Sequence, residues 1–233
     1  MERQNKLTIA IMIVAAVGVL AVVWGAFLGG PDLAEGNRTI LVLAADESEP
    51  RAGLGAVDMA FVVNMKDGSI TKYIPVYPGG MTHPTQSEPA EAQAQGAGAR
   101  LLLHDSLWYE NNEQGMQWAK EIVESNTNHT PDAVVAINTE AMDAIISAAN
   151  LQTDLSAADI VRENDNMYGG SMTRGEAVLS LVKELSQSAT NETNRNGMIQ
   201  VALDQYSKGN IVMIPEGSFV GLMASKGIGT FLN

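Results

Sequence analysis

Five charged residues lie in a short segment after the first strand-like stretch of the sequence. Asp46, Glu47 and Glu49 follow a run of branched apolar residues, Arg51 comes next, and Asp58 opens the next apolar run. Carboxylates can hold Mg²⁺ or Mn²⁺ and leave positions free for substrate phosphate, and a guanidinium can bind an oxyanion bidentately. The segment therefore predicts a metal and phosphate site. The alternative is a solvated acidic loop, which Asp58 fits least because it interrupts an apolar strand.

Composition excludes several other kinds of site. The 233 residues include no cysteine, which excludes thiol nucleophiles, disulfides and cysteine-based metal centres. His83, His104 and His129 lack metal-ligand spacing, so we expect ordinary loop or partly buried histidines. No nucleophile-elbow, Walker A, zincin or complete dinucleotide-binding motif is present. A formal charge of −13 would repel a polyphosphate backbone, so nucleic acid is not an expected partner.

An uncharged apolar stretch covers residues 7–28. As a helix it would be roughly 33 Å long, enough to cross the hydrocarbon core of a bilayer. It is longer than the apolar part of a typical cleaved signal peptide and lacks a good cleavage motif, so it favours an uncleaved anchor over that alternative. Arg3 and Lys6 precede the stretch, while Asp32 and Glu35 follow it. The positive-inside rule therefore predicts a single-pass protein of the cell membrane with a cytoplasmic N-terminus and an extracellular main domain.

The predicted organisation has four segments. They are a cytoplasmic N-terminus (1–6), a transmembrane anchor (7–28), a linker (29–38) and an extracytoplasmic α/β domain (39–233). No internal repeat or heptad run suggests a further division. Glycosylation sequons begin at Asn37, Asn128 and Asn191, and they fit either a glycosylated surface protein or ordinary polar loops.

Strand-like and helix-like stretches alternate in the outer domain. Predicted strands cover 39–44, 57–64, 69–74, 131–138 and 211–214, and predicted helices cover 114–125, 139–149, 173–186, 196–207 and 218–225. Asp67 and Gly68 form a hairpin signal. Segment 78–98 begins as a loop and is predicted to become helical after Ser87, a candidate N-cap. This order predicts an α/β fold, with a mixed, largely buried sheet and helices on its faces, preceded by one N-terminal transmembrane helix.

Several of these stretches resemble an uncharacterised membrane-anchored family, the domain of unknown function 4012. The resemblance lies in residues 39–58 (TILVLAADESEPRAGLGAVD), in the hairpin that follows, and in strand 131–138 with its helix. The order of elements is in turn remotely similar to the LytR-CpsA-Psr phosphotransferases. Those are single-span extracytoplasmic α/β proteins that move glycopolymers from polyprenyl-pyrophosphate lipids onto cell-wall acceptors.

The resemblance implies roles for four residues. Asp46 and Asp58 match the two aspartates of the magnesium and pyrophosphate site in the enzymes. Arg51 lies near a phosphate-binding arginine, and Arg174, at the start of a predicted helix, resembles another; a helix N-terminus also favours anions. Where the enzymes carry an Arg–Asp pair after the third strand, this chain has IPVYP at residues 74–78. That difference leaves a catalytically silent relative as an alternative.

The resemblance therefore implies a membrane-anchored protein of cell-envelope assembly that acts, like a glycopolymer phosphotransferase, on polyprenyl-pyrophosphate-linked substrates. Asp46 and Asp58 would hold Mg²⁺ or Mn²⁺, and Arg51 and Arg174 would neutralise the pyrophosphate. The alternative is a non-catalytic envelope protein that binds a surface glycan or a partner protein. It would use segment 78–98 and the aromatic residues at 108–109, of which Trp108 is either a stacking surface or a packed core residue.

Overall fold

A five-stranded mixed sheet forms the centre of the fold in the computed structural model. The strands are β1 (Asn37–Asp46), β2 (Ala56–Lys66), β3 (Ser69–Val76), β4 (Thr82–Ser87), β5 (Arg100–Leu102), β6 (Ala133–Asn138) and β7 (Ile211–Ile214), and the helices are α1 (Ala90–Ala94), α2 (Asn112–Asn126), α3 (Thr139–Ala148) and α4 (Glu192–Ser207). The main sheet has the order β3-β2-β1-β6-β7, and β4 and β5 form a separate pair. Only β1 and β6 run parallel among the described strands.

The structure describes residues 33, 36–49, 51–67, 69–76, 78–151, 157, 184–185, 187–216 and 218. No helix within these ranges is both long and apolar enough to cross a membrane. The predicted span at 7–28 and Arg174 lie outside the described residues, as do most of the helices predicted at 173–186 and 218–225.

Strand β1 is buried on both faces of the sheet, and its side chains divide between two cores. Three alternate residues (Ile40, Val42, Ala44) join the core formed with α3 and α4, and the three that alternate with them (Leu41, Leu43, Ala45) join the core formed with α2. This alternation follows from the two-residue period of a strand. The predicted mixed sheet with helices on its faces is confirmed for the described residues.

The predicted hairpin after β2 is confirmed, with one difference. Asp67 itself has a positive φ of 49°, a conformation that aspartate tolerates better than most residues. Gly68, which was expected to supply the positive φ of the turn, lies outside the described residues. Both the backbone N–H and the carboxylate of Asp67 bond to Gly36, which holds the turn against the start of β1.

Two predicted helix caps are wrong. Ser87 ends strand β4, and α1 begins after Pro89. The reason is that the neighbouring Glu88 is buried, where its carboxylate accepts a hydrogen bond from the β5 backbone instead of opening a helix. The N-cap of α3 is Asn138, whose side chain accepts from a first-turn N–H, whereas Thr139 is already helical.

The three sequon asparagines, Asn37, Asn128 and Asn191, are exposed. Asn191 is also the N-cap of α4, where its side chain accepts from the N–H groups of Thr193 and Asn194.

Candidate functional site at the carboxyl edge of the sheet

Two loops meet where β1 ends, and together they build the site. Because β1 and β6 are parallel, their carboxyl ends lie at the same edge of the sheet, which is where ligands bind in open α/β folds. The loop at 47–55 lies against the turn at 103–111, and the N–H groups of Ala52 and Gly53 donate to the carbonyl of Trp108 at 3.1 and 3.2 Å. The loop at 47–55 is also bonded to the start of helix α3, since the carboxylate of Glu47 accepts hydrogen bonds from the N–H and the hydroxyl of Thr139.

Asp105 lies at the centre of this site. Its carboxylate, 7% exposed, accepts hydrogen bonds from Nη2 of Arg51 at 2.9 Å and from Nδ1 of His104 at 3.2 Å. Burial would raise the pKa of Asp105, but the hydrogen bonds from His104 and Glu88 outweigh it and lower that pKa. Asp105 is therefore an anion on which three other side chains converge.

Glu88 is a second buried acid of this group, beside Asp105. It is buried, its Oε2 accepts from the N–H of Leu102 at 3.0 Å, and its Oε1 has no donor among the described residues. Burial, followed by its hydrogen bond to Asp105, raises the pKa of Glu88 from 4.5 to about 7. Below that pH the carboxyl group carries a proton, and the proton satisfies the contact with the Asp105 carboxylate.

His104 connects Asp105 to two further carboxylates. While Nδ1 contacts Asp105, Nε2 lies 3.4 Å from Oδ1 of Asp58 and 4.0 Å from Oε1 of Glu49. The hydrogen bonds to Asp105 and Asp58 raise the pKa of His104 to about 10. Glu49, Asp58 and His104, here called the Glu49–Asp58–His104 cluster, each offer one ligand atom, and these atoms lie within 4.8 Å of one another.

Arg51 is held beside the cluster by several contacts. Its Nη2 contacts Glu49 at 3.1 Å as well as Asp105, and its guanidinium lies over the ring of Trp108 at 4.2 Å. The side chain is 11% exposed. Arg51 thus neutralises two carboxylates of the site and covers one face of Trp108, which limits the stacking surface that this tryptophan can offer. The neighbouring Tyr109 is 44% exposed and meets Trp118 edge-on.

The structure brings together two of the four residues predicted from the sequence. Arg51 and Asp58 lie in one site, whereas Arg174 is outside the described residues. Asp46 is 3% exposed at the end of β1, and its Oδ1 accepts from the N–H of Ser48 at 2.8 Å. Within the described ranges, the group of possible metal ligands contains Asp58 but not Asp46. Metal binding by the Asp46–Asp58 pair stays a prediction.

Sequence reasoning missed His104, Asp105 and Glu88. His104 was expected to be an ordinary histidine, but it lies between three carboxylates. One signal pointed to it: the His104-Asp105 pair interrupts an apolar run, which is the argument that singled out Asp58. For Glu88 the sequence carries no such signal.

The donor set of the cluster fits a divalent cation. Two carboxylates and one imidazole are ordinary ligands of divalent metals, and they come from three segments that the packing holds together. Their side chains are 43%, 17% and 31% exposed for Glu49, Asp58 and His104, so a bound ion would stay accessible to a substrate.

The chain is thus an α/β protein with a cluster of side chains that could bind a metal ion at the carboxyl edge of its sheet. Residues 35–167 match the family described as "Protein of unknown function (DUF4012)". The match covers more than half of the chain and every residue of the cluster, and the chain belongs to this family. The resemblance noted in the sequence is thereby confirmed.

Solved structures of similar fold include protein gbs0355 from Streptococcus agalactiae, with 13% identity and a TM-score of 0.51 over 79% of this chain and 71% of that chain. Bacillus subtilis TagV matches with 12% identity and a TM-score of 0.49 over 82% and 78%. TagT bound to LIIa-WTA matches with 12% identity and a TM-score of 0.44 over 84% and 76%. At these identities the likeness concerns the fold alone. No curated protein sequence matches the chain.

Proposed function

We propose that this chain is a membrane-anchored extracytoplasmic protein of cell-envelope assembly whose site acts on a polyprenyl-pyrophosphate-linked glycopolymer. The observation that carries the proposal is the Glu49–Asp58–His104 cluster beside Arg51, at the sheet edge where α/β proteins bind ligands. The sequence resemblance to the LytR-CpsA-Psr phosphotransferases supports the substrate class, and the apolar stretch at 7–28 supports the anchor.

The charge balance of the site explains why a cation would be needed. Glu49, Asp58 and Asp105 are carboxylates, whereas Arg51 and the protonated His104 are the two cations that contact them, so the five groups leave one negative charge in excess. A pyrophosphate would therefore meet a negative surface. A divalent cation held by Glu49 and Asp58 would supply the positive charge that neutralises pyrophosphate oxygens. The partly exposed side of the cluster would leave room for the phosphate beside this cation, and the ion pair with Arg51 would hold Glu49 in position.

The transfer itself exchanges one phosphorus–oxygen bond for another. An acceptor hydroxyl oxygen would bond to the phosphorus that carries the glycopolymer, and the bond from that phosphorus to the bridging oxygen would break. Polyprenyl phosphate leaves with the electron pair of the broken bond, and the hydroxyl proton passes to water. Stabilisation of the negative charge at phosphorus is the main catalytic contribution expected of such a site.

A binding experiment tests this function. The full chain in detergent would be titrated calorimetrically with farnesyl pyrophosphate in the presence of Mg²⁺, in the presence of Mn²⁺, and without a metal. We expect metal-dependent binding that Asp58→Ala abolishes and that Glu110→Ala, at an exposed acid outside the cluster, leaves unchanged. Absence of binding to the wild-type chain, or equal binding by the Asp58→Ala variant, would reject the proposal.

One observation favours the second candidate, a non-catalytic envelope protein that binds a surface glycan or a partner protein. The guanidinium of Arg51 is paired with Glu49 and Asp105, and the side chain is 11% exposed, so its charge neutralises the protein's own carboxylates. Under this function Asp58→Ala would leave glycan binding unchanged, whereas Tyr109→Ala, which removes an exposed ring, would weaken it. The reverse pattern would exclude it.

A further inference from the structure

We propose that the Glu49–Asp58–His104 cluster selects a first-row transition-metal dication, such as Mn²⁺ or Zn²⁺, over Mg²⁺, with His104 as a ligand through Nε2 and Asp105 as the positioning residue that orients its ring. This deepens the proposed function and rests on it for the use of the metal. The binding of the metal itself is a separate property of the cluster.

The three donor atoms already lie close to the separation that a metal requires. Metal–ligand bonds of about 2.0–2.2 Å place neighbouring donor atoms about 3.0–3.5 Å apart. Nε2 of His104 lies 3.4 Å from Oδ1 of Asp58 and 4.0 Å from Oε1 of Glu49. A small rotation of Glu49, the most exposed of the three side chains at 43%, would complete the set.

Asp105 is the observation that separates this site from an ordinary acidic cluster. A metal-binding histidine typically donates its other ring N–H to a carboxylate, which fixes the tautomer and the ring orientation. Nδ1 of His104 lies 3.2 Å from Oδ1 of Asp105, and that carboxylate is held in turn by Arg51 at 2.9 Å. With Nδ1 engaged in this way, Nε2 is the nitrogen that faces Asp58 and Glu49. A metal bound there replaces the proton on Nε2, which leaves to water.

The imidazole decides which metals the site prefers. Imidazole suits Zn²⁺, Fe²⁺ and similar transition-metal ions, and Mn²⁺, which favours carboxylates, accepts an imidazole beside them, whereas Mg²⁺ prefers oxygen ligands and keeps much of its water. Affinity at such a site rises from Mn²⁺ to Zn²⁺. Three protein ligands leave further coordination positions open, and the 17–43% exposure of the three side chains leaves room for water or a phosphate oxygen.

The test uses the untagged full chain in detergent, without any lipid substrate. Mn²⁺ binding is followed by the loss of the free-ion electron paramagnetic resonance signal, with Zn²⁺ and Mg²⁺ as competitors. We expect Zn²⁺ to displace Mn²⁺ and a hundredfold excess of Mg²⁺ to leave most of it bound. His104→Gln should raise the Mn²⁺ Kd at least about tenfold, and Asp105→Asn by about 10–100-fold. His129→Gln, at a histidine outside the cluster, should leave it unchanged.

A second measurement needs no variant and so does not depend on how well the variants fold. Electron spin echo modulation of Mn²⁺ bound to the wild-type chain should contain the nitrogen coupling of one imidazole. Bound Mn²⁺ without that coupling would overturn the inference, and so would displacement by equimolar Mg²⁺ or wild-type affinity in a folded His104→Gln chain.

The proposed function and this inference fail in different ways. If Mn²⁺ binds with imidazole coupling but farnesyl pyrophosphate does not bind, the inference stands and the proposed function falls. If the lipid analogue binds with Mg²⁺ equally well to wild type and His104→Gln, and Mn²⁺ shows no preference, the proposed function stands and the inference falls.

Discussion

Replacing Gly53 by alanine tests whether the close approach of the two loops holds the site together. A Cβ at position 53 would overlap the carbonyl oxygens of Leu107 and Tyr109 and would lie 2.9 Å from Oδ1 of Asn112. Two of these neighbours are backbone atoms, which cannot swing aside as a flexible side chain would. The loop at 47–55 must therefore shift away from the turn at 103–111.

The cost of Gly53→Ala follows from the contacts that this shift loosens. Overpacking in a close-packed interior costs about 1–3 kcal/mol. The N–H groups of Ala52 and Gly53 also move away from the carbonyl of Trp108, and each weakened hydrogen bond costs up to about 0.5–1.5 kcal/mol. We expect a loss of about 2–4 kcal/mol in the free energy of unfolding, which a domain stable by about 5–15 kcal/mol survives.

Urea unfolding of the wild-type chain and the variant measures this loss as a shift of the midpoint at constant m. Gly79→Ala is the matched control, because a Cβ there meets nothing within 4 Å and the glycine has an ordinary φ. At such a site alanine changes stability by less than about 1 kcal/mol, in the stabilising direction. If Gly53→Ala costs no more than Gly79→Ala, the two loops are not packed as closely as described, and the argument for a preformed site fails.

Three further predictions use the same unfolding assay. Asn138→Ala should cost about 1–3 kcal/mol, since it removes the N-cap of α3 and a hydrogen bond to Asn210; a cost below about 0.5 kcal/mol would contradict the cap. Arg51→Met should cost about 1.5–3 kcal/mol, because the buried Asp105 loses one of its two cationic partners and keeps only His104, and it should cost much less in an Asp105→Asn background. Glu88 has a pKa of about 7 in the folded chain against 4.5 for the free side chain, so the folded state binds more protons in that window and stability falls as pH rises through it. Because glutamine cannot ionise, the free energy of unfolding of Glu88→Gln, taken relative to that of the wild type, should rise by on the order of 2–3 kcal/mol from about pH 5 to about pH 8. A difference that does not change with pH would refute the raised pKa.

Much of the fold was predictable because its signals are local. The apolar run that begins at residue 39 and the one that ends at Asn138 predict two buried strands, and the structure pairs them in parallel at the centre of the sheet. Helix α2 begins and ends within two residues of its predicted bounds. The errors at Ser87 and Thr139 concern caps, where one residue decides the result and where burial of a neighbour such as Glu88 outweighs the local preference.

The site was predictable only in part because its residues come from distant positions in the chain. Arg51 and Asp58 lie in the charged segment 46–58 that directly follows the first predicted strand, so the sequence alone could place them at the edge of the sheet. The contacts of His104 and Asp105 with that segment depend on how the turn after β5 packs, which no spacing rule encodes.

The network around Asp105 also changes how Arg51 is understood. In the sequence its role was inferred from its position near a phosphate-binding arginine, which suggested a residue free to bind a ligand. In the structure Arg51 pairs with Asp105, Asp105 contacts Nδ1 of His104, and Nε2 of His104 faces Asp58 and Glu49. Because each of these contacts fixes the next, a change at Arg51 should alter metal affinity through the orientation of His104. It should do so even if no ligand ever touches the guanidinium.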